Sequence, residues 1–394
     1  MVCNQYNTGF QISDWEKEFL EKLSISSPTF CSACRHQQRL AWRNERSLYK
    51  SVCSKTGKSI ISMYAPAKNL TVYASDVWWG DGWDARDYGS DFDFNRPFFE
   101  QFAELQKLVP KIPLFNLKGE NSNYCNITEI TKNCYLCFGS QNTKDSYYST
   151  FDFNSKNSCD VYWVDHSELL YECIDCNRCF NVQHAQYSQG CNDSAFLFDC
   201  RNCEKCLACV GLREKKYHIL NQSYSKEVYE QKIKEYALNT RSGRERMKQE
   251  FQKFRLKFPH RGAWIVNSEE CTGNNIVQGK NCVNCFDVDG PARDFKDTII
   301  AGLNSKDAIS CDHIGVSEIQ YENMSSVWSN TCAFSMYLRS SNNIWYSESI
   351  NNSDHLFGCT QMKRAKYCIL NKQYSKEDYF NLKSRSDPFG IFNH

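Results

Sequence analysis

The 394-residue chain sets 47 Lys and Arg against 46 Asp and Glu, so no global field draws it to nucleic acid or an anionic membrane, and such a partner needs a local patch. With 41% hydrophobic residues it can bury a large core over two or three domains. The 23 cysteines are an odd number in a long chain that opens without the basic and apolar runs of a signal peptide, and no 18-residue apolar window predicts a membrane span, so reduced thiols in a soluble, cytoplasmic protein are expected.

Residues 1–118 are expected to form an α+β, zinc-ribbon-like domain. "CNQY" from Cys3 and "CSAC" from Cys31 to Cys34 flank a helical-looking stretch, and two knuckles about 25 residues apart outline a zinc ribbon. The stretch from Val2 to Ile60, together with "WWGDGWDARDYGSDFDFNRPFFEQF", "NCYLCF" and "SAFLFDCRNC", resembles a family of uncharacterised cysteine-rich proteins from small-genome bacteria and large phages, headed by a zinc-ribbon-type domain. The resemblance covers nearly the whole chain and brings no established activity. It implies four zinc-binding cysteines, of which Cys3, Cys31 and Cys34 match while Tyr6 stands where the fourth would be. His36 and Cys53 are the candidates to complete the tetrahedron, and a relic ribbon without metal is the alternative. Ala74 and Val77, where the resemblance implies a further knuckle, carry no ligand atom.

Next, Arg35, Arg39, Arg43, Arg46 and Lys50 recur at helical spacing as one basic stripe, which fits either a phosphate backbone or an internal acidic partner. Asp76, Asp81, Asp84, Asp87, Asp91 and Asp93, interleaved with Trp78, Trp79, Trp83 and Tyr88, are the expected internal partner. "NRPFFEQFAELQKLV" reads as a helix capped by Asn95, with Phe98, Phe102, Leu105 and Val109 on its buried face.

From residue 119 the chain is duplicated. "KNCYLCF" from Lys132 matches "KNCVNCF" from Lys280, and "KYHILNQSYSKEVY" from Lys216 matches "KYCILNKQYSKEDY" from Lys366, with offsets that imply small insertions in the second copy. Inside each copy runs a 12-residue interval: Cys179, Cys191 and Cys203 in the first, and Cys332, Ile344, Leu356 and Cys368 in the second. Short strand-like runs alternate with Asn, Asp, Ser and Gly, which tolerate the left-handed backbone of tight corners. The fold class is therefore mainly β: two tandem parallel β-solenoid modules, 119–237 and 263–394, each closed by a helix starting at "YSKE", with Ser225 or Ser375 as cap. Twelve residues fit a whole coil or half of a larger one.

Within the first module, "DCRNCEKCLACV" places cysteines at 200, 203, 206 and 209. Buried packing, a zinc or iron–sulfur site, and disulfides are the three readings, and packing is preferred because the second copy keeps the repeat while losing most of these thiols. Between the modules, 238–262 reads as a basic amphipathic helix with Met247, Phe251, Phe254 and Phe258 on one face. That face covers the solenoid end, or else the helix lies on RNA, an acidic partner or a membrane surface through residues such as Arg244, Lys248 and Arg255.

No phosphate-binding loop, HExxH or G-x-S-x-G is found, and Asp160, Asp165 and Asp199 are the carboxylates a glycan-cleaving solenoid would use. The sequence is best read as a non-enzymatic scaffold or binding protein with an unknown macromolecular partner and a candidate zinc, compatible with homo-oligomers. Its rivals are a nucleic-acid-binding protein using the basic stripe and the 241–261 helix, and a metal or iron–sulfur protein.

Overall fold

The computed structural model describes residues 1–302, 304–316 and 318–384. Two parallel β-solenoids dominate it, the first from the Asn116–Leu117 strand to Gln222–Ser223 and the second from Ile265–Val266 to Lys372–Gln373. Register settles the coil: Glu129 pairs with Gln141 and Thr131 with Thr143, so 12 residues are one complete turn. In the second module Gly279 pairs with Ala292 and Phe286 with Ile299, coils of 13 residues, and the period returns to 12 at Ala308 with Gln320. These local lengthenings are the insertions that displace the two sequence copies.

A three-residue rhythm builds each coil. Asn142, Asp145, Tyr148, Phe151 and Asn154 all have φ between 50° and 54°, so a left-handed corner recurs at every third residue. The residue after each corner points inward: Thr143, Ser146, Ser149, Asp152 and Ser155 are all buried. Four such sides close a square bore, filled by small polar residues here and by apolar ones such as Leu170, Leu197 and Ile344 in other coils. Asn and Asp adopt the left-handed region at low cost and also bond from coil to coil. Asn133 donates to Asp145 at 2.8 Å, Asn142 to Asn154 at 3.0 Å and Asn181 to Asp193 at 2.8 Å.

The same geometry explains the cysteines. An inward Ser hydroxyl donates to the carbonyl two residues back, as Ser146 does to Lys144 at 3.1 Å, and accepts the N–H of the next coil, as from Ser158 at 3.4 Å. Cysteine is a small, weaker version of the same device: Cys200 lies 3.4 Å from the Cys209 carbonyl and Cys179 3.4 Å from that of Asn177. Cys200, Cys203, Cys206 and Cys209 are thus the four inward positions of one coil, all at most 1% exposed. No disulfide forms among the 23 cysteines, and all but Cys31, Cys159 and Cys271 are buried.

The two solenoids lie side by side and run in opposite directions. Tyr187 stacks on Trp264 near one end, Phe151 meets His313 midway, and Glu129 forms an ion pair with Arg339 at 2.7 Å near the other. The Lys226–Glu235 and Lys376–Ser384 helices follow the hairpins ending each stack, with Ser225 accepting from Val228 N–H and Ser375 from Asp378 N–H. Tyr229 and Tyr379 bury them. The linker helix spans Arg241–Arg255 and turns Met247 and Phe251 into a core with Phe196, Phe198 and Val210, so its apolar face is occupied by the first module.

The N-terminal domain packs along the second module, where Phe19, Leu20, Phe98 and Leu105 share one core with Leu338, Ile344 and Leu356. The helix expected to be capped by Asn95 instead spans Phe98–Leu108. Pro97 is its first flanking residue and contributes no side-chain cap, while Gln101 reaches back to bond Asp93 N–H and C=O at 2.9 Å each. Among the described residues, no helix is long and apolar enough to cross a membrane.

Candidate metal centre

Cys3 begins a tight turn in which its N–H bonds Thr8 C=O and its carbonyl accepts from Asn7 N–H, both at 2.9 Å. Asn7 takes φ 52°, a conformation Asn tolerates. Cys31 is the N-cap of the Ser32–Trp42 helix, which places Cys31 and Cys34 on the first turn, at the end whose free N–H groups favour negative sulfur. The three sulfurs converge. Cys34 Sγ lies 3.5 Å from Cys3 Sγ and 3.4 Å from Cys31 Sγ, close to the ~3.8 Å between tetrahedral zinc ligands at Zn–S ~2.3 Å.

Charge is prepared unevenly. Cys31 N–H points at Cys3 Sγ from 3.4 Å, and together with the N–H groups of Tyr6 and Gln5 it pulls the Cys3 thiol down to about 6. Burial and the two neighbouring sulfurs push Cys34 up to about 12. A cation at the centre removes that conflict, because all three thiols then ionise together. The cluster can hold a metal ion.

The fourth ligand is absent from the expected places. Tyr6 is 58% exposed at the knuckle tip. His36 Nε2 turns to Asp312 Oδ1 at 3.4 Å, on the second module. Cys53 lies outside the cluster and belongs to a second knuckle with the same hydrogen bonds. Its N–H reaches Lys58 C=O at 2.8 Å and its carbonyl accepts from Gly57 N–H at 2.9 Å, with Gly57 at φ 71°. Ala74 N–H meets Cys53 Sγ at 3.2 Å, as Cys31 N–H meets Cys3. Thr56 and Ala74 beside it carry no thiol, so this turn holds one sulfur where the first gathers three.

The first three arginines of the basic stripe turn inward, with partners other than the aspartates of residues 76–93. Arg35 bonds Tyr321 and Glu322, each at 3.1 Å. Arg39 meets Asp312 at 2.7 Å, and Arg43 bonds Ser325 and Glu45. Arg35 and Arg39 are 4% and 7% exposed, which removes them from any phosphate surface. Arg46 and Lys50 are both exposed. The acidic segment spends its charge elsewhere, Asp84 on Arg86 at 2.5 Å and Asp91 on Lys372 at 2.6 Å. On the linker helix, Arg244 bonds Leu238 C=O, Lys248 pairs with Glu172 at 3.4 Å, and Arg255 bonds Gln186 while lying 4.1 Å above the Phe198 ring.

Sequence spacing could not find Lys111, whose ammonium meets Glu348 at 3.1 Å and Thr360 at 3.2 Å inside the domain interface. Of the carboxylates weighed for glycan cleavage, Asp199 is tied to Arg213 at 2.6 Å, Asp160 lies beside Cys159, and Asp165 lines a cavity between the solenoids.

The fold and the thiol cluster together define a cysteine-rich double β-solenoid with a three-sulfur centre at its N-terminal end. No known protein-family profile and no curated protein matches the chain. Among solved structures, one described as an acetyltransferase from Desulfovibrio desulfuricans G20 aligns at 10% identity and a TM-score of 0.13. The alignment covers 52% of this chain and 62% of that one, less than two thirds of its length.

Proposed function

We propose that this protein is a non-enzymatic binding scaffold in which a zinc-bearing N-terminal domain clamps two antiparallel solenoids into one rigid body. The observation that carries the reading is the burial of cations at the domain interface: Arg35 and Arg39 of the basic stripe, together with Lys111, are buried and spent on Glu322, Asp312 and Glu348 of the second module. Buried pairs of this kind cost desolvation and give register and orientation rather than net stability. Zinc fits the three thiolates, with solvent or an incoming ligand in the fourth position. Unpaired interior thiols suit a reducing compartment such as the cytoplasm.

Replacing Arg39 and Arg43 with Gln tests the clamp against the nucleic-acid alternative. Melting and fluorescence anisotropy with a labelled 20-nucleotide RNA are measured on the same samples. The expected outcome is a lower melting temperature and unchanged RNA affinity. An unchanged melting temperature with about a tenfold loss of RNA binding and a shallower salt slope overturns the scaffold reading.

A further inference from the structure

Between the solenoids, away from the thiol cluster, lies a cavity of about 360 Å³, within the ~300–1,000 Å³ range of small-ligand sites. The first module contributes Trp163, Asp175, Asn177, Tyr187 and Arg201, and the second contributes Trp264, Asn275 and Asp289. Tyr187 and Trp264 stack across the junction at 4.4 Å and 16°, which fixes both rings before any ligand arrives. Asn275 crosses from the second module and donates to both Asp175 at 3.2 Å and Asp287 at 2.8 Å.

Several polar groups here are unspent. Asn177 Oδ1 is buried without a hydrogen-bond partner among the described residues. The Arg201 guanidinium, although it lines the cavity, forms no ion pair among them. Burial and the neighbouring Asp287 hold the Asp175 carboxyl at about 7, so at neutral pH it both donates and accepts.

The chemistry narrows the occupant. An apolar ligand would strand Asn177, Arg201 and Asp175 without water. Phosphates and other anions meet three carboxylates, Asp165, Asp175 and Asp289, against one guanidinium. A metal ion would lack a ready set of ligands here, because among the described residues Cys3, Cys31 and Cys34 are the group of three His, Cys, Asp or Glu ligand atoms that converge. What remains is a ligand with paired hydroxyls, each donor and acceptor at once, and apolar C–H faces for the aromatic wall.

We infer that this inter-solenoid cleft binds a neutral oligosaccharide, with Asn177, Asn275, Asp175 and Arg201 pairing its hydroxyls and Trp163 and Tyr187 flanking its rings, Trp264 being held between Tyr187 and Arg261 as the support of that wall. The inference rests on the binding-scaffold reading and is independent of zinc.

Isothermal titration calorimetry of the full chain with cellotetraose, tetra-N-acetylchitotetraose, tetragalacturonate and spermine tests it. At least one of the two neutral tetramers is expected to bind, with Trp163→Ala and Arg201→Ala each weakening it by about tenfold, or 1.4 kcal/mol. Circular dichroism melting confirms that the variants are folded, and Gln278→Ala, on the exposed rim, is a second probe that leaves the packing intact. Binding of tetragalacturonate or spermine alone, binding that ignores every variant, or no binding by folded protein overturns the inference while leaving the clamp untouched. Chromatography of the incubated sugar separates the two readings: cleavage of the tetramer supports the sugar site and overturns the non-enzymatic scaffold.

Discussion

Asp152 is an inward residue of the first solenoid, fully buried, and neither carboxylate oxygen has a hydrogen-bond partner. The hydroxyls around it are committed: Ser149 donates to Tyr147 C=O at 3.3 Å and Ser155 to Phe153 C=O at 2.7 Å. Burial accordingly raises this carboxyl to about 6. Its folded value exceeds its unfolded one, so its contribution is intact below about pH 4 and is lost as pH rises through 6, roughly 3 kcal/mol in total. Asp152→Asn is expected to stabilise the protein at pH 8 and to leave it unchanged at pH 4, measured by urea denaturation at both values. Equal effects at the two pH values would show that folding does not change the proton affinity of this carboxyl. The thiols allow a matching test. Burial pushes Cys311 and Cys332 up to about 12, so they are expected to resist a thiol reagent until denaturation, while Cys159 and Cys271, outside the thiol cluster, react first. Mass spectrometry of briefly labelled native protein checks the order.

At the scale of elements, the Arg241–Arg255 helix shows how a basic segment becomes structural. Its charges face outward, while Met247 and Phe251, 1% and 4% exposed, fill the side of the last coils against Phe196 and Val210. Phe251→Ala is expected to cost about 3–5 kcal/mol, as large-to-small core changes do. A change below ~1 kcal/mol by chemical denaturation would mean that the helix is loosely docked. The Ser32–Trp42 helix works the other way, burying its cations. Asp312 serves Arg39 at 2.7 Å and lies 3.4 Å from His36, so Asp312→Asn leaves the buried Arg39 guanidinium short of charge. A loss of about 3 kcal/mol or more is expected, because removing one partner strands the other.

Over the whole molecule, the three thiols and the buried ion pairs act at different interfaces. The cysteines close the N-terminal knuckle onto its own helix, whereas Arg35, Arg39 and Lys111 fasten that domain to the second module. Purified protein is therefore expected to hold about one zinc per chain, and a strong chelator to remove hydrogen-exchange protection from residues 1–35 while the solenoid coils keep theirs. Protein without zinc whose N-terminal amides stay protected would make both knuckles relics.

The sequence alone determined the repeat, because a buried bore calls for small or apolar inward residues at a fixed interval and left-handed corners favour Asn and Asp; both constraints are local and recur from coil to coil. It also determined the Cys3, Cys31 and Cys34 grouping, whose ligands sit on short, regular turns. Three decisions were left to the tertiary structure. Cys53 looked available to the metal until its own knuckle placed it elsewhere, since spacing along a chain does not say which turn a ligand joins. Arg39 needed a partner nearly 300 residues away, and the nearby aspartates of residues 76–93 could not be ruled out by charge alone. The cavity between the solenoids was invisible for the same reason: Asp175 and Asn275 are 100 residues apart and meet only because the second solenoid returns antiparallel beside the first.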